Sequence, residues 1–228
     1  MTTTLAPTTP STDSSPASSR SKLIRIGIWT LAAAWVAVAF IHPNMSPEAV
    51  GELRSVMGRW MFVHVAQLFL AAGLAYTLWH VLRNNTTRPA KLARGLMPVY
   101  LVFFGAFDAV VGLGTGLAVD SGPAGEAAAR HIINSPLAGD FSVITNIASL
   151  SLITVIATTG LALKKAGAST LTWSLMLTGV LLASHSGAGA AVGVMAIAWS
   201  ADRALGGTTH PGRASTWALT SSSSCGCP

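Results

Sequence analysis

Charge is scarce in this sequence. Asp, Glu, Lys and Arg make up 10% of its 228 residues, against about 25% in an ordinary soluble domain. The scarcity is local: the charges gather in short clusters and leave long apolar stretches between them, so no stretch remains to build a separate soluble domain of usual size. Cysteine is nearly absent too. The two present, Cys225 and Cys227, both lie in the last four residues, which excludes a disulfide framework. A C-x-C pair has the soft ligands that suit Cu(I) but lacks the ligand count of a structural zinc site. The sequence holds no P-loop, no dinucleotide fingerprint, no nucleophile elbow and no H-E-x-x-H. It therefore assigns no catalytic residue and identifies no cofactor.

What remains is hydrophobic, at 51% of residues. Apolar runs cover 26–41, 60–82, 96–119 and 141–163, most of them near the ~20 residues that cross ~30 Å of hydrocarbon. A further run, 169–205, is too long for one span and short for two. Ser184-His185-Ser186-Gly187 breaks it, and Gly189 follows. This predicts two short helices of roughly 16 or 17 residues joined by a tight turn. The fold expected is all-α: a six-span transmembrane bundle over 23–205. It is flanked by a Thr/Ser/Pro-rich disordered tail over 1–22 and a second disordered tail over 206–228.

The formal charge is +6, yet the basic residues sit at segment ends. That is the pattern of membrane topology, not of a nucleic-acid groove. With six spans and a cytoplasmic N-terminus, most Lys and Arg fall inside. Only Arg54, Arg59 and Arg130 fall outside, together with acids such as Glu48, Glu52, Asp120, Glu126 and Asp140. This bias predicts N-in/C-in topology in a bacterial-type plasma (inner) membrane, where the lipid bilayer is the first partner. Among the loops, 47–60 carries Val50, Leu53, Met57 and Trp60 at helical spacing, as in a helix lying on the outer interface. A short helix over 125–133 would pair Glu126 with Arg130. The stretch 84–95 reads as a polar, basic inner loop interrupted by Pro89.

Asp108 is the most informative residue. It falls about midway along the third span, where an acid costs at least ~2.5–3.5 kcal/mol on insertion scales unless it faces protein or water. Gly105, Ala109, Gly112 and Gly116 share nearly the same helix face, a small-residue stripe that admits another helix. Asp108 therefore points into the bundle, as a coupling acid, a cation ligand or a helix-locking carboxyl. His64, with Gln67 three residues on, lies one turn inside the outer end of the second span. Asn146, in a fourth span rich in Ser and Thr, lies near the same depth. Interhelical hydrogen bonding is the first expectation for those hydroxyls, and a polar solute path the second. Four histidines, His42, His64, His131 and His185, fall on the outer side. Of these, His64, His185 and His131 are candidate metal or haem ligands. His80 is about 160° around the helix from His64, so the two cannot serve stacked haems in one bundle interior.

Three functions are compatible with these residues. The first is a small transporter or permease-like protein for a solute or ion, with Asp108 as coupling acid and His64, Gln67 and Asn146 lining a vestibule. The second is a metal- or haem-binding membrane protein that uses the outer histidines. The third is a non-catalytic accessory subunit that docks a homo- or hetero-oligomeric partner on its Gly105/Gly112/Gly116 or Gly189/Gly193 faces.

Overall fold

The computed structural model describes residues 16–43, 47–139, 142–184 and 186–207. The tail residues 1–15 and 208–228, including Cys225 and Cys227, lie outside the described residues, as does His185. Among the described residues the chain is helical throughout and contains no strand. The helices are α1 (Pro16–Ile41), α2 (Met57–Leu82), α3 (Arg88–Phe107), α4 (Thr115–Asp120), α5 (Pro123–Ile133), α6 (Val143–Lys165), α7 (Thr170–Thr178) and α8 (Gly187–Gly207). A 3-10 segment, Pro47–Val56, leads into α2, and another, Gly179–Ser184, continues α7. A π-helical turn, Asp108–Gly114, joins α3 to α4.

Among the described residues, four segments have the length and apolarity to cross a membrane: Lys22–Ile41, Val50–Leu82, Arg88–Asp120 and Val143–Lys165. The final apolar region divides as expected into Thr170–Ser184 and Gly187–Gly207. The first is too short, and the second is diluted by glycine, Asp202 and Arg203. α1 also begins at Pro16, inside the stretch assigned to the N-terminal tail.

Local chemistry sets the boundaries. Ser142 and Ser169 cap α6 and α7, each accepting from the backbone N–H three residues on, which satisfies one of the orphan donors of a helix start. The 84–95 stretch is mostly helix rather than loop. Pro89 falls in the first turn of α3, where it lacks only an N–H that would be unpaired anyway, so it starts the helix instead of interrupting it. Gly167 turns the chain from α6 to α7 with φ 79°.

α3 packs most extensively on α6, and α1 on α8, with α2 touching both α1 and α3. Small residues permit two further close approaches, of α8 to the Gly179–Ser184 segment and of α6 to α7. A Cβ on Gly193 would lie 2.4 Å from the Leu182 backbone nitrogen, and one on Gly160 would lie 2.8 Å from Leu177. The Gly189/Gly193 face is thus filled by the chain's own Gly179–Ser184 segment. Arg25 of α1 forms an ion pair with Asp202 of α8 at the opposite end from the site below. Arg94 donates to the Leu82 and Asn85 carbonyls, so α3 caps the C-terminus of α2. Arg94→Ala is expected to destabilise the fold by about 1–3 kcal/mol, the value of a charged hydrogen bond to an end carbonyl. Unfolding in mixed micelles measures it.

The other end of the bundle carries a cap. Val50 and Leu53 of the 3-10 segment are buried with Trp60, Phe107, Val111, Val119, Ala129 and Ile133 in a second apolar cluster. The 47–60 stretch therefore packs on protein, and Trp60 is an interior residue rather than a headgroup anchor. Its apolar positions serve α4 and α5 because those helices offer a complementary apolar face. Glu126 accepts a hydrogen bond from Arg54 at 3.0 Å, and Arg54 also donates to the Val119 carbonyl. Glu126 thus ties α5 to the 3-10 segment.

Candidate functional site

Beneath this cap, His64 of α2 and Asp108 of the π-helical turn meet side chain to side chain. Nδ1 and Oδ1 are 2.5 Å apart, and the residues are 2% and 0% exposed. No Lys or Arg side chain pairs with this carboxyl among the described residues. His64 Nε2 and Asp108 Oδ2 are buried without a hydrogen-bond partner among those residues. Each side of the pair thus keeps one polar atom in reserve.

The π-helical turn explains how the two groups meet. Widening a helix by one residue per turn shifts its faces and opens its carbonyls, and such turns recur at functional sites. Here the Gly112 carbonyl accepts from Trp60 Nε1 at 2.6 Å. Trp60 in turn packs on His64, with ring centroids 4.3 Å apart. His42, at the end of α1, sets its ring edge-on to both, at 5.2 Å from His64 and 5.7 Å from Trp60. Its Nδ1–H donates to the Pro43 carbonyl.

The glycine stripe faces α2. Gly105 looks towards Leu68 and Gly116 towards Met61 and Trp60, while a Cβ on Gly112 would lie 2.4 Å from His64 Cγ and Nδ1. The stripe thus admits α2 and, at Gly112, the imidazole itself.

The sequence-derived candidates divide. Asp108 and His64 are paired, and Gln67, fully buried, lies one turn along α2. Asn146 is elsewhere: it is exposed on α6 and lines a cavity of about 460 Å³ that neither His64 nor Asp108 lines. His131 is exposed on α5, and His185 lies outside the described residues. No group of three or more His, Cys, Asp or Glu able to hold a metal occurs among the described residues. The hydroxyls of the fourth span mostly bond within their own helix: Ser151, Thr154, Thr158 and Thr159 each donate to the carbonyl four residues back. This local bond is cheaper than one to a neighbouring helix because the carbonyl is already in place.

Sequence reasoning did not find Trp60 and Gly112 as parts of the site, nor the contact of His42 with His64. The signal available was the crowding of Gly112, Gly114 and Gly116 just after a membrane-depth acid. No protein-family model matches the chain, and no curated protein or solved structure matches it either.

Proposed function

We propose that the chain is a six-span protein of a bacterial-type plasma membrane, with both ends cytoplasmic, which couples proton binding at the His64–Asp108 pair to the movement of a small solute or ion. The observation that carries this reading is the pair itself: a carboxyl and an imidazole, buried, on two neighbouring helices of membrane-span length. Acids within such helices are costly to bury and commonly mark ion and proton paths. The π-helical turn adds a deformable element at the same point. Thr170–Ser184 and Gly187–Gly207 serve in this reading as a fifth and a sixth, shorter span, and the basic bias of the loops orients the whole.

The test uses proteoliposomes that enclose a pH-sensitive dye. Pools of small polar solutes are added outside under an imposed proton gradient. The intact protein is expected to give solute-dependent proton entry, and Asp108→Asn to give none while still reconstituting as a folded protein. Equal proton entry in the two would remove the reading.

A further inference from the structure

A groove runs between α1 and α2 at the end of the bundle that carries the Arg25–Asp202 pair. It holds about 360 Å³. Leu23, Ile28 and Leu31 line its α1 wall, and Gly73, Tyr76 and His80 its α2 wall. The two helices meet at its deep end, where a Cβ on Gly73 would lie 2.7 Å from Leu31 Cδ1. Leu23 and Tyr76, both exposed, flank its open side. Gly27 also lines it and leaves space there: a Cβ on Gly27 would meet nothing within 4 Å.

Depth and charge indicate what fills it. From Leu23 to Leu31, and from His80 back to Gly73, the groove extends roughly 10–12 Å along the helix axes, most of a hydrocarbon leaflet of about 15 Å. No Asp, Glu, Lys or Arg of the described residues lines it, so its interior takes hydrocarbon. Its mouth is cationic. Exposed Lys22 opens the first membrane-length segment beside Leu23. Exposed Arg83 directly follows the second, with Nη1 3.4 Å from His80 Nδ1. Long basic side chains at span ends reach the headgroup layer. No carboxylate of the described residues pairs with either cation, and the one acid at this end, Asp202, is taken up by Arg25. An apolar groove below two such cations matches a lipid tail below a negatively charged headgroup.

We propose that this groove binds an anionic phospholipid, with one acyl chain lying between α1 and α2 and the phosphate meeting Arg83 and Lys22. The site depends on the membrane placement of the chain but not on the coupling pair, neither member of which lines it.

The experiment is native mass spectrometry of full-length protein released from micelles that contain equal amounts of phosphatidylglycerol and phosphatidylcholine. The protein is expected to retain one phosphatidylglycerol about fivefold or more in preference to phosphatidylcholine. Arg83→Gln and Lys22→Gln should each weaken that retention about fivefold, the effect of one cation at a membrane surface, and leave phosphatidylcholine unchanged. Gly27→Leu fills the groove but keeps both cations, so it should abolish retention. Gly95→Leu is the control: it adds the same side chain at an exposed position of α3 where a Cβ also meets nothing within 4 Å, and it should retain the lipid. Circular dichroism checks that each variant keeps its helices. Equal retention of the two lipids, retention of neither, unchanged retention in both charge variants, or undiminished phosphatidylglycerol in Gly27→Leu would each overturn the proposal. So would a lipid-free dimer, with a second copy of the chain over the groove. The measurement reads lipid and not proton entry, so this site and the coupling pair fail separately.

Discussion

Gly112→Ala is expected to destabilise the protein by about 2–6 kcal/mol, although it adds a single methyl group to a helix. The new Cβ would sit 2.4 Å from both Cγ and Nδ1 of His64 and 3.0 Å from its Cβ. A flexible side-chain tip could swing aside, but this ring is held by Asp108, Trp60 and His42. α2 and the π-helical turn separate, at roughly 1–3 kcal/mol for overpacking, and the imidazole is pushed off the carboxyl, which then loses its partner at a further ~1–3 kcal/mol. Gly105→Ala is the control on the same stripe. Its Cβ would make an ordinary 3.9 Å contact with Leu68, so the usual gain of alanine over glycine in a helix, ~0.5–1 kcal/mol, should appear. Unfolding of both variants in mixed micelles compares them. If Gly112→Ala were as stable as Gly105→Ala, the tight seating of His64 would be disproved.

The sequence made the all-helical fold and the C-terminal ends of the long apolar segments legible, because charge is excluded from them so sharply, but α2 and α3 start earlier, at Met57 and Arg88. It also marked Asp108 and His64 separately. Their pairing was not readable, since 44 positions separate them and no local periodicity encodes a tertiary contact. The π-helical turn was equally hidden: one extra residue in a turn leaves no trace in a pattern of glycine and valine. Polar composition misled at 88–95, where a basic stretch is helix because Pro89 can begin one and Arg94 finds carbonyls to cap. Asn146 shows a second limit: it shares a depth with His64 but is exposed on α6 and lines a cavity that His64 does not. Depth along a helix axis fixes one coordinate only, and the side of the bundle fixes the rest.

The pair itself supplies the second large effect. His64→Leu alone should cost about 3–5 kcal/mol, and Asp108→Ala a similar amount, because removing one member of a buried pair strands the other without water or partner. The double variant His64→Leu/Asp108→Ala roughly conserves total volume and leaves nothing stranded, so it is expected to recover most of the loss. The double-mutant cycle should therefore show a coupling of several kcal/mol, far above the ~0.5 kcal/mol of independent sites. The same variants bear on the reason for the pair. A carboxyl and an imidazole retained only to lock α2 against the π-helical turn would be replaceable by two apolar side chains with no loss beyond stability. Restored stability together with abolished proton entry in proteoliposomes would instead mean that the chain retains the pair for the proton it holds. Additive losses in the cycle would mean that His64 and Asp108 do not act on each other, and the coupling reading would fall with that result.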